Sequence, residues 1–197
     1  MTSFVVRQWI EDDARFLDNI IFSDGSTFHV TSKVNTHNSM IWGTENLHAS
    51  VEHVRDSCKV NVFCALCKDR VYSPFFFMRT TITSAMYLEI LEHFLFPLFG
   101  KDDHKGRMNF QQDGAPPHYY TDVRKCLNTR FTGLWIGQAV PIPWPPRSTD
   151  LPLLGSFLWR FVKDRVYVPP LPANGAELQI RITTTVAEVT PDMLCCM

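Results

Sequence analysis

With 197 residues, 45% of them hydrophobic and 20% charged, the chain has the make-up of a globular protein with one sizeable core, and a single domain over residues 1–197 is expected. A formal net charge of −1 gives no overall basic footprint for nucleic acid, so whole-chain charge cannot be what holds such a partner. No run approaches the ~20 apolar residues of a membrane span and no charged-then-apolar leader opens the chain, which therefore reads as soluble and intracellular, without a membrane partner.

In chain order, residues 7–16 read as a helix leading into a first strand at 19–23. Asp24-Gly25 is a turn dipeptide, because Asp bonds its own backbone and Gly accepts positive φ, and a second extended run follows at 27–30. Further strands are predicted at 60–66 and 71–77 around Lys68-Asp69-Arg70, giving an antiparallel meander. Thr83 or Ser84 caps a helix in which Tyr87, Leu91, Phe94, Leu95 and Leu98 recur at helical spacing, with Pro97 and Gly100 ending it. A strand at 108–112, a helix at 119–128 and a short apolar run at 134–136 come next.

Residues 140–152 are rich in proline and read as an extended connection. Beyond them Leu154, Phe157, Leu158, Phe161 and Val162 make the apolar stripe of a helix that the prolines near 170 interrupt, and an amphipathic stretch at 176–189 closes the chain. This order supports an α/β or α+β arrangement and does not by itself decide between them. Cys64 and Cys67 have a zinc-like spacing, but three residues apart on a strand they point to opposite faces, and no second ligand pair follows; buried core thiols are expected. The aromatics Trp42, Trp135, Trp144 and Trp159 read most simply as core.

Charge is unevenly spread. Residues 1–60 hold five Lys/Arg against eight Asp/Glu, whereas residues 120–165 hold seven against three. Such a local surplus can meet a phosphate backbone where the whole-chain charge cannot.

Three segments carry the chemistry: Ile20-Ile21-Phe22-Ser23-Asp24, then Phe110-Gln111-Gln112-Asp113-Gly114-Ala115-Pro116-Pro117-His118, then Trp144-Pro145-Pro146-Arg147-Ser148-Thr149-Asp150-Leu151. On these residues the chain resembles the catalytic domain of mariner-type (Tc/mariner superfamily) transposases over residues 7–193. The resemblance implies a ribonuclease H-like fold, a mixed five-stranded sheet with helices on both faces. It implies that Asp24 and Asp113, 89 residues apart, converge as catalytic and metal-binding carboxylates for Mg²⁺ or Mn²⁺. Enzymes of this type hold two metals roughly 3.5–4 Å apart for in-line attack on a phosphodiester, so carboxylates from different elements must meet at one small spot. Without the resemblance, both Asp-Gly pairs read equally as plain turns. His118, Arg147 and Ser148 are the DNA-contact residues it suggests, Arg offering paired donors to phosphate. Tyr119 and Tyr120 read either as DNA contacts or as packing and capping of the next helix.

The chain departs from the family in three places. The third segment usually continues Thr-Pro-Leu-Asp-Phe-Phe-Leu-Trp and its Asp is the third metal ligand; here Gly155 holds that position, and Gly25 stands where relatives commonly carry Glu. Asp164, nine residues on along the same predicted helix, lies about 13 Å away along its axis and is out of reach. Asp150 is nearer, but prolines restrict its backbone. Only 23 residues precede Asp24, so the helix-turn-helix modules with which the family recognises transposon ends are expected to be missing.

The expectation is a nuclear, transposase-derived nucleic-acid-binding protein with little or no DNA cleavage or strand transfer. Weakened Mg²⁺ or Mn²⁺ binding, weak and sequence-tolerant contact with DNA, no small-molecule substrate, and a homodimer left open go with it. Its rivals are a metal-dependent transposase or endonuclease still working through Asp24 and Asp113, and a transposon remnant with no role.

Overall fold

Strand β1 (Ile20–His29) alternates its apolar side chains between two cores. Ile20, Phe22 and Phe28 enter one, and Ile21 enters the other. The computed structural model describes residues 16–30, 58–79, 81–99, 108–137, 142–143 and 157–195. β2 (Lys59–Cys67) and β3 (Arg70–Phe77) form a hairpin around Lys68-Asp69, and β4 (Asn109–Gln111), β5 (Trp135–Gly137) and a two-residue β6 (Ile142–Pro143) follow. The sheet order is β3-β2-β1-β4-β5-β6, with β1 antiparallel to β2 and parallel to β4. The five strands of the sequence reading are therefore extended by a short sixth at the edge, in the proline-rich stretch read as extended.

The Asp24-Gly25 turn does not form. β1 runs unbroken through both residues because β2 pairs with it from Phe22↔Leu66 to His29↔Lys59, and this ladder of backbone hydrogen bonds outweighs the local turn preference. Gly25 has no steric reason to be glycine: an added Cβ would come only within 3.6 Å of the Val62 carbonyl, an ordinary contact.

On one face of the sheet lies α1 (Ser84–Glu89), with Thr83 Oγ1 accepting from Met86 N–H at 3.4 Å as its cap. The helix continues through a π-helical stretch (Ile90–Leu95) into a last α turn (Phe96–Phe99), so Pro97 is carried inside its end and does not stop it. The π register explains the tolerance, since the Phe96 N–H reaches the Leu91 carbonyl across one extra residue just before the proline. α2 (Thr121–Arg130), entered by a 3₁₀ turn (Pro116–Tyr119), completes this layer, and Tyr87, Leu91, Leu95, Phe110, Leu127 and Trp135 form its core.

The opposite face is covered by α3 (Trp159–Val166) and α4 (Gly175–Ala187), which bury Leu158, Val162, Val166, Leu178 and Ile182 on the even-numbered residues of β1 and β2. A short α5 (Pro191–Cys195) ends the described chain. Tyr167, just past α3, ties that helix to β1 by accepting from His29 N–H at 3.0 Å and donating to the His29 carbonyl at 2.8 Å. Cys64 and Cys67 lie in opposite cores as free thiols. Among the described residues no helix is long and apolar enough to cross a membrane. Trp135 and Trp159 are buried, while Trp42, Trp144 and all of the predicted helix at 7–16 except Phe16 lie outside the described residues.

Candidate active site

Parallel pairing of β1 with β4 brings the two acids together. The last paired residues are Phe22 and Gln111, and Ser23 Oγ donates to the Gln111 carbonyl at 2.7 Å. Asp24 and Asp113 each stand two residues beyond that pair on adjacent strands, Asp113 just past the end of β4 and Asp24 within β1, which runs on. They share a cleft of about 200 Å³ whose walls include Asn61, Tyr87, Pro117 and His118. Strand parity gives Asp24 the same side as Phe22 and Phe28, the side covered by α3.

Asp24 is partly buried and fully engaged. Its Oδ1 accepts from the Gly25 N–H at 2.8 Å and its Oδ2 from the Trp159 indole N–H at 3.2 Å. Burial, followed by the charge of Asp113, pushes its carboxyl up to about 6 against those two hydrogen bonds and the charge of His118. Asp113 behaves oppositely. Burial works to raise it, but the His118 hydrogen bond and charge and the Ala115 N–H outweigh that and hold it below the ordinary carboxyl range. Two like charges thus share one site in which one carboxyl is stabilised as the anion and its neighbour resists ionising.

His118 is directed into the site. Its Nδ1 pairs with Asp113 Oδ1, its ring lies over Tyr87 with centroids 3.9 Å apart and planes 31° from parallel, and its side chain is only 13% exposed against 50% for Asp113. A buried Gln112 holds this arrangement, accepting from the Tyr87 hydroxyl at 3.0 Å and donating through Nε2 to the His118 carbonyl at 3.2 Å. Lys163, one helical turn past Trp159, is half-buried over the Phe28 ring at 5.6 Å. Burial lowers its ammonium while the charge of Asp24 raises it.

Three contributors were missed in the sequence. Trp159 reads as core and is buried, yet its indole N–H is spent on Asp24. The signal was available, since a buried indole donor needs a partner. Tyr87 reads as part of an apolar stripe, and Gln112 as part of a motif without a role. Tyr119 and Tyr120 do not pack into the core: they are 48% and 55% exposed, and Tyr120, at the N-cap of α2, makes no side-chain capping bond. Arg147, Ser148, Asp150 and Gly155 lie outside the described residues. Among the described residues no three His, Cys, Asp or Glu side chains cluster as a metal-binding group.

Two hard carboxylate oxygen donors held side by side suit Mg²⁺ or Mn²⁺ in kind, and their mutual repulsion would be relieved by a cation. The pair fits such an ion in chemistry, with fewer protein ligands than a three-acid site.

The sheet order and the helices on both faces define a ribonuclease H-like fold. Neither known family models nor curated proteins match the chain. Solved structures do, and they share the fold of the Mos1 mariner transposase catalytic domain. The Mos1 transposase paired-end complex with left transposon end superposes with a TM-score of 0.74 at 16% identity, over 99% of this chain and 55% of that one. The Mos1 mariner paired end complex with Mn gives 0.74 at 17% identity, again over 99% and 55%. The Mos1 transposase catalytic domain with Raltegravir and Mn gives 0.72 at 15% identity, over 99% and 82%. The chain thus spans about half the length of the two transposases in the paired-end complexes.

Proposed function

We propose that this chain is derived from a mariner-type transposase catalytic domain and acts as a nucleic-acid-binding protein with little or no DNA strand cleavage. The observation that carries this reading is that the parallel pairing of β1 with β4 sets Asp24, within β1, and Asp113, just past the end of β4, each two residues beyond the last pair, in a fold shared with Mos1. The Mos1 structures hold transposon ends and Mn; nucleic acid and a divalent ion are carried to this chain as part of the proposal.

Asp24 and Asp113 would hold the ion. When bound, it would supply Lewis acidity at a phosphodiester oxygen and lower the pKa of a water. The residues' own work is positional: Trp159 and Gly25 orient Asp24, and His118, backed by Tyr87, orients Asp113. Gly155 in place of the third acid leaves the set one carboxylate short, which weakens metal binding and removes most two-metal catalysis. Arg147, Ser148 and the basic residues of 120–165 would meet phosphates without reading bases, so DNA binding is weak, sequence-tolerant and salt-sensitive. A nuclear location is proposed from descent alone, and a homodimer is left open.

Calorimetry with Mn²⁺ and a nicking assay on duplex DNA test the reading. Weak metal binding, no nicking, and duplex affinity that falls steeply with salt are the expected results. Metal-dependent cleavage abolished by Asp113→Ala would overturn the inactivity, and absence of any nucleic-acid binding would overturn the binding role.

A further inference from the structure

We infer that Tyr119 and Tyr120 form a stacking platform for unpaired nucleobases at the rim of the carboxylate site. The two aromatics occupy the junction between the 3₁₀ turn and α2, where the chain leaves His118 and its pairing with Asp113. Tyr72 and Tyr87 are buried, whereas these two neighbours in the chain present rings that remain 48% and 55% exposed.

Local structure accounts for neither ring. At the N-cap of α2 it is the Tyr120 backbone carbonyl, accepting from Arg124 N–H at 3.1 Å, that starts the helix, and no side-chain cap bond is made. Tyr119 is held from one side by the Arg124 guanidinium, 5.3 Å from its centroid, and Arg124 makes no ion pair or side-chain hydrogen bond among the described residues. A cation against one face orients a ring and leaves the rest of it to solvent.

The partner follows from the position. This step rests on the reading that nucleic acid approaches Asp24 and Asp113. A phosphodiester brought there carries its flanking bases to the rim, and a base presents a flat π-face that stacks on tyrosine whatever its identity. Bases within a duplex are already stacked on each other, so the platform suits single-stranded or unpaired nucleotides. Among the described residues the other exposed large apolar side chains, Met78, Val168, Leu171 and Ile180, lie on other elements, so none of these extends the tyrosine pair along its own turn and helix.

Fluorescence anisotropy with a dye-labelled oligothymidine of about 12 nucleotides, and with a blunt duplex of the same length, tests the platform. The parent protein should favour the single strand. Tyr119→Ala and Tyr120→Ala should each weaken single-strand binding roughly 5- to 100-fold, leave duplex binding within about twofold, and keep the parent's melting temperature. Phenylalanine at either position should retain most of the affinity, because the ring and not the hydroxyl makes the contact. Unchanged single-strand affinity in both alanine variants overturns the platform alone, as does an equal loss with phenylalanine and alanine. A parent that binds neither probe overturns the nucleic-acid reading itself, and the platform with it.

Discussion

Replacing Asp24 with asparagine should stabilise the protein at neutral pH and not at acid pH. The carboxyl titrates near its ordinary 3.8 in the unfolded chain and near 6 in the fold, because burial and the Asp113 charge oppose ionisation. The native state therefore holds the proton more tightly. Stability linked to Asp24 is fully present below the unfolded value of 3.8 and is lost as pH rises through 6. At 1.36 kcal/mol per pH unit that interval amounts to about 3 kcal/mol, and partial exposure of the carboxyl reduces it to roughly 2 kcal/mol. Asparagine cannot ionise, but its single acceptor oxygen can serve only one of the Gly25 and Trp159 N–H groups, and the lost hydrogen bond costs about 1 kcal/mol. Urea unfolding followed by circular dichroism should thus show Asp24→Asn more stable than the parent by about 1 kcal/mol at neutral pH, and equal or slightly less stable near pH 4. A variant less stable than the parent at neutral pH, or a difference that does not change with pH, would refute the argument that burial and the Asp113 charge together oppose ionisation of Asp24.

Two further substitutions probe the groups around the acids. Trp159→Phe keeps the aromatic contact with Phe28, now 5.9 Å edge-on, but removes the donor to Asp24; the Asp24 carboxyl should titrate above its present value of about 6 in a ¹³C-detected NMR titration, and an unmoved titration would mean that the indole bond contributes nothing. Gly155→Asp should make the melting temperature dependent on Mn²⁺, whereas that of the parent barely responds, because a third carboxylate raises the demand for a cation. Equal metal shifts in parent and variant would show that Gly155 does not hold the third ligand position.

What the amino-acid sequence determined by itself was written in near neighbours. The period-two alternation of Ile20, Ile21 and Phe22 set which side chains enter which core, and the Thr83 cap and the stripe through Tyr87, Leu91 and Leu95 placed α1. Three-residue spacing on a strand was enough to send Cys64 and Cys67 to opposite faces. Tertiary structure decided what depends on partners distant along the chain. Asp24-Gly25 is a turn by local chemistry and lies mid-strand because β2 pairs across it. Pro97 breaks a regular helix on paper and is absorbed by a π-helical stretch packed on the sheet. The carboxyl chemistry of Asp24 belongs to the fold alone, because its burial, its proximity to Asp113 and the Trp159 donor arrive from three separate elements. Short-range periodicity reports which way a side chain faces, and only the assembled sheet and helices determine what it meets there.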